Sequence, residues 1–107
     1  KRSLIRVDFP RPGGVVTSPL VVKGKARGTW FFEASFPVVL VAQNDVVVAT
    51  GIAQASADWM TEEFVPFTAT LEFTKPTHMR AGTLLLKKDN PSGDPARDDV
   101  LRIPVKF

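Results

Sequence analysis

Apolar and polar residues alternate singly along most of the chain, in short stretches separated by Pro, Gly, Asn and Asp. Side chains of an extended strand point to opposite faces in turn, so this alternation marks antiparallel strands with one buried face. The spacing predicts a first strand over Leu4 to Phe9, stopped by Pro10 and Pro12, which deny ladder hydrogen bonds, and by Gly13 and Gly14, which permit turning. A second is predicted over Leu20 to Arg27. There Leu20, Val22, Gly24 and Ala26 share the face assigned to the core, and Val21, Lys23, Lys25 and Arg27 the face assigned to water. The third runs from Phe31 to Ala42, with Phe32, Ala34, Phe36, Val38 and Leu40 inward and Glu33 and Ser35 outward. Asn44 and Asp45 make a turn into a fourth strand, Val46 to Ala55, where Gly51 is the expected bulge or kink. The fifth, Phe64 to Phe73, turns Val65, Phe67, Ala69, Leu71 and Phe73 inward and Thr68, Thr70 and Glu72 outward. Gly82 to Lys88 is the sixth, with Leu84 and Leu86 inward. Val100 to Phe107 is the seventh, with Leu101, Ile103, Val105 and Phe107 inward, after the polar stretch Asp89 to Asp99.

Seven short strands in 107 residues predict an all-β chain, a seven-stranded antiparallel β-sandwich of immunoglobulin or fibronectin type, with a partly open barrel as the alternative. The length suits one domain over residues 1 to 107, and no internal repeat or low-complexity tract divides it. A composition of 44% hydrophobic and 23% charged residues is that of a soluble globular chain, not a disordered one. Cysteine is absent, which excludes disulfides, thiolate metal sites and cysteine nucleophiles. The single histidine, His78, leaves no multi-histidine metal site. No apolar run reaches the roughly 18 residues that cross a bilayer. Because the chain starts at Lys1 without an initiator Met, it reads as a piece excised from a larger protein.

The formal net charge of +3 is mild, but its distribution is uneven. Residues 1 to 27 hold seven basic residues against Asp8, and the remainder is net acidic. Within that basic segment Lys23, Lys25 and Arg27 project from one strand face at spacings of about 6 to 7 Å, a pattern that suits an anionic wall polymer or phospholipid surface. The same residues also serve as ordinary solubilising cations, with Glu72 or Thr70 as candidate cross-strand partners. Trp59 and Met60, beside Asp58, Glu62 and Glu63, are the candidate protein- or sugar-binding anchor, since a rigid aromatic buries much area at little entropy cost. That indole is equally suited to capping an open end of the sandwich.

The stretch Asp89 to Asp99 is rich in oxygen ligands, but Pro91 and Pro95 break the spacing of a calcium loop and no Glu closes it, so turn chemistry accounts for it. No nucleophile elbow, zinc, phosphate-loop or dinucleotide motif occurs, and no catalytic residue, cofactor or metal ligand is assigned. Without interleaved basic and aromatic residues on a strand pair, nucleic acid is not expected as a partner.

VDFPRPGGVVTSPLVVKGKARG (residues 7 to 28), FFEASFPVVLVAQNDVVVATG (31 to 51), FVPFTATLEF (64 to 73), AGTLLLKKDNPSG (81 to 93) and VLRIPVKF (100 to 107) together resemble the immunoglobulin-like domain of bacterial spore germination proteins. Asn44 to Val46 depart from that family's glycine-containing hairpin, though Asp45 can still turn the chain. The resemblance implies an extracytoplasmic, non-catalytic accessory or interaction module of a secreted or lipid-anchored bacterial envelope protein linked to sporulation or germination. Its expected partner is another protein or a neighbouring domain. The alternative is a cell-wall polymer or carbohydrate-binding domain attached to an envelope enzyme.

Overall fold

The computed structural model describes residues 4–27, 30–31, 34–56, 61, 63–88 and 99–107. They form eight strands: β1 (Ile5–Phe9), β2 (Gly14–Val15), β3 (Leu20–Arg27), β4 (Ser35–Ala42), β5 (Val47–Ala55), β6 (Phe64–Leu71), β7 (Ala81–Lys87) and β8 (Val100–Lys106). The hydrogen-bonded order is β1-β3-β6-β5-β4-β7-β8-β2. β5 pairs with β4 along most of its length and passes to β6 only through Gln54 and Ala55. At that handover the sheet curls, so that β1, β3 and β6 lie over β4, β7 and β8 as the two layers of a sandwich. The rings of Phe36 on β4 and Phe67 on β6 meet between the layers, edge to face with centroids 4.9 Å apart.

The inward sets deduced from alternation form this core. Leu20, Val22 and Ala26, then Phe36, Val38 and Leu40, then Val65, Phe67, Ala69 and Leu71, then Leu84, Leu86, Ile103 and Val105 are all buried in one cluster. Trp30 and Phe31, which precede β4, join it from outside the strands. No polar or charged side chain is buried among the described residues.

The all-β sandwich architecture agrees with the pattern, and the departures from it are local. β2 is an eighth strand, too short for any alternation to reveal, and it lies parallel to β8, so the sheet is not wholly antiparallel. β4 begins at Ser35 because Ala34 has φ +67°, a left-handed conformation that a strand cannot continue. Phe32 and Glu33 lie outside the described residues. The bulge of the fourth predicted strand is not at Gly51. Gly51 pairs regularly with Val38, and the register slips instead at Val48, between Leu40↔Ala49 and Val41↔Val47. β6 ends at Leu71, and Phe73 beyond it is half-buried with Phe107, the two rings edge to face at 6.0 Å. The Asn44–Asp45 turn forms as expected: Ala42 N–H donates to the Val46 carbonyl, Asp45 N–H to that of Ala42, and Asp45 has φ +65°.

Strand direction places the last residues of β3, β5 and β7 and the first of β4, β6 and β8 at one end of the sandwich. The other end gathers the β1–β2–β3 crossing, the β4–β5 turn, the β6–β7 connection and the finish of β8.

Candidate functional site

Antiparallel pairing builds a strongly basic surface. β1 lies against β3 with Arg6 opposite Lys25 and Phe9 opposite Lys23. On the other flank β6 sets Thr68 opposite Lys23, Pro66 opposite Lys25 and Phe64 opposite Arg27. Lys23 and Lys25 are exposed and Arg27 is half-buried. The predicted triplet is therefore one face, as alternation required. β1 adds Arg6 as a fourth cation, which a reading of β3 alone could not supply.

Phe64 organises this group. The guanidinium carbon of Arg27 lies 4.6 Å from its ring centroid and that of Arg6 lies 5.3 Å away. A cation over an aromatic face at such range is attracted by the ring quadrupole, worth about 0.5–1 kcal/mol at an exposed site. The ring thus gathers two like charges from different strands. Phe9, half exposed, continues the aromatic surface beside Lys23.

The expected neutralising partners are not opposite these cations. Thr70 pairs with Val21, and Glu72 follows the last residue of β6. The nearest acids along the two flanking strands are Asp8, at the β1 irregularity, and Glu63, just before β6. Like charges directly opposite each other oppose strand pairing. Lys25→Glu is therefore expected to raise stability by a few tenths of a kcal/mol. Thermal unfolding at low salt checks this, and the gain is expected to shrink in about 1 M NaCl, where the Debye length falls to about 3 Å.

Trp59 and Met60, the candidate anchor for a protein partner, lie outside the described residues, as does the oxygen-rich stretch up to Asp98. Asp99 is described, and its carboxylate accepts the Val100 N–H at 2.9 Å. Among the described residues no three His, Cys, Asp or Glu side chains gather as metal ligands, and no helix is long and apolar enough to cross a membrane. His78 is exposed in the β6–β7 connection at φ +65°.

A family model described as the immunoglobulin-like domain of bacterial spore germination matches residues 4–94, which take in β1 to β7. No curated protein and no solved structure matches the chain.

Proposed function

Because the chain belongs to the family of immunoglobulin-like domains of bacterial spore germination, we propose that it is a non-catalytic accessory module of a bacterial envelope protein, secreted or lipid-anchored and linked to sporulation or germination. It acts by holding an anionic partner on its basic sheet face. The observation that carries this reading is the presence of Arg6, Lys23, Lys25 and Arg27 on one face, with Arg6 and Arg27 over Phe64 and Arg6 and Lys25 directly opposed across two strands. An arrangement that weakens the strand pair in isolation favours a partner carrying negative charge. The rigid sandwich contributes placement, because side chains on paired strands keep fixed spacings.

The same face supports a more specific second reading. Cations at intervals of about 6 to 7 Å along β3 match the repeated charges of a wall polymer better than a single compact anion. In that case the domain tethers its parent protein to the cell wall.

Cosedimentation with isolated bacterial cell wall at low and at physiological salt tests both, beside a Lys23→Ser, Lys25→Ser, Arg27→Ser variant. If the wild type pellets at physiological salt and the variant does so about tenfold less, the partner is a wall polymer. If neither pellets, the partner is an acidic protein, and chemical cross-linking in the parent organism should capture it through the wild type and not through the variant. A variant that behaves like the wild type in both assays would falsify the assignment of this face.

A further inference from the structure

At the end of the sandwich where β8 finishes, the chain between β6 and β7 crosses from one layer to the other and leaves a cleft of about 680 Å³ against the ends of β2 and β8. Its basic lining is Lys75, His78 and Arg80 from the connection and Lys106 from β8, all exposed. The remaining lining residues are Val15, Pro76, Thr77, Met79 and Phe107, so among the described residues no acidic side chain lines the cleft. A second depression, about 510 Å³ beside Lys87, Lys88 and Arg102, differs in that Asp99 lines it among the cations.

The cationic cleft continues into an apolar one. A smaller cavity of about 200 Å³ shares Val15, Lys75 and Phe107 with it and adds Val16, Thr17, Ser18 and Phe73. Phe73 and Phe107 form its aromatic floor, and Val15 stands two-thirds exposed at the junction. Basic groups and an apolar recess therefore adjoin without a boundary. A bare phosphate would use only the first, whereas a ligand with an apolar group beside its negative charges uses both.

Two features favour polypeptide as the carrier of those groups. β2 is the terminal strand of the sheet, so its outer edge has no strand beyond it among the described residues. Such an edge offers main-chain groups to an added extended segment. Charge is also segregated along the sequence: residues 28–34, 56–63 and 88–99 carry eight of the eleven acidic and two of the fourteen basic residues. At the end that bears the cleft, the β4–β5 turn and the β6–β7 connection carry Lys75 and Arg80 against Asp45 and Glu72, Asp8 lies near the end of β1, and none of these acids lines the cleft.

We propose that the cleft formed by Lys75, His78, Arg80 and Lys106 with Val15 and Phe107 is a docking site for an acidic polypeptide segment in which carboxylates flank an apolar side chain. The proposal rests on the reading of the domain as an interaction module but uses a different surface. Its test is separable for that reason: the cleft variants leave the β3 triplet intact, and the triplet variant leaves the cleft intact.

Fluorescence anisotropy with a labelled Asp-Glu-Phe-Asp-Glu peptide on the whole chain tests it. The wild type should bind, and Lys75→Ser with Arg80→Ser should weaken binding by about tenfold or more. An Asn-Gln-Phe-Asn-Gln peptide should lose affinity to a similar degree, and Val15→Ser should lower it by about threefold or more. The Lys23→Ser, Lys25→Ser, Arg27→Ser variant should bind the peptide as the wild type does. All the substituted side chains are exposed except the half-buried Arg27, so unchanged thermal unfolding separates lost binding from lost folding. Absence of wild-type binding, unchanged affinity in the Lys75/Arg80 variant, or equal competition by inorganic phosphate at the peptide's concentration would each overturn the proposal.

Discussion

Trp30→Ala is expected to lower the free energy of unfolding by about 3–5 kcal/mol, the range for removing a large aromatic side chain from a core. Trp30 is 1% exposed and heads the largest fully buried side chains of the molecule. It lies in the buried cluster just ahead of Phe31, whose ring meets Phe36 edge to face at 5.3 Å, and Phe36 in turn meets Phe67. A void here would open beside the contact of Phe36 and Phe67, where rings from both layers interlock. Few neighbours could collapse into it, because the strands on either side are held in their ladders.

Trp30→Phe should behave quite differently. The indole Nε1–H is buried without a hydrogen-bond partner among the described residues, and an unsatisfied buried donor costs about 1–3 kcal/mol. Phenylalanine removes that donor while leaving a smaller void, so the two effects offset and the net change is expected within about 1 kcal/mol. Urea denaturation of the three proteins checks the ranking. A Phe variant as unstable as the Ala variant would show that indole volume alone sets the stability at this site.

The second large effect is expected at Gly24. It pairs with Val7 on one side and Phe67 on the other, in the middle of the β1-β3-β6 layer. A Cβ added there would collide with the Arg6 carbonyl oxygen and lie 2.9 Å from Phe67 Cζ and 3.0 Å from Val7 Cα. Two of those three are backbone atoms, and the third belongs to a ring held between layers by Phe36, so nothing listens to a small rotamer change. Gly24→Ala is expected to cost about 3 kcal/mol or more by forcing β1 away from β3. At Gly51 the nearest atoms would be Leu71 Cγ and the Thr70 carbonyl oxygen, both at 3.1 Å. That contact is relieved by a shift of a few tenths of an ångström, so Gly51→Ala should cost less than half as much. Chemical denaturation midpoints of the two variants decide the order. Equal losses would mean that β1 yields easily, which would also loosen Arg6 from the basic face.

Gly24 also marks the limit of what alternation along one strand specifies. Alternation put it correctly on the inward face between Val22 and Ala26, since a period of two is a property of the extended backbone and needs no knowledge of neighbours. That the position must be glycine follows only from how closely Arg6 and Phe67 approach, which is a fact about two other strands. Trp30 is similar. Its place in the core lies outside the strands, ahead of the left-handed Ala34, where alternation carries no signal.

The binding surfaces divide in the same way. Lys23, Lys25 and Arg27 were legible as one face because they lie on one strand. Arg6 and Phe64 were not, because their membership depends on the β1-β3-β6 order and on the register Arg6↔Lys25 and Arg27↔Phe64. The cleft was further from view, since its cations come from a connection with no alternation at all and from the last residue of β8. In isolation Lys75, His78 and Arg80 read as a solvated linker.

From the sequence alone came the all-β character of the chain, the core-facing residues of most of its strands, and a sandwich of the immunoglobulin kind as the expected fold. Local backbone geometry and apolar burial decide those matters. The tertiary structure alone decided the order of the strands, the parallel docking of β2 on β8, the gathering of two arginines over Phe64 and the cationic cleft beside the sheet edge. Each of these joins residues far apart in the chain, and their meeting is set by packing between layers, which leaves no periodic trace along a single strand.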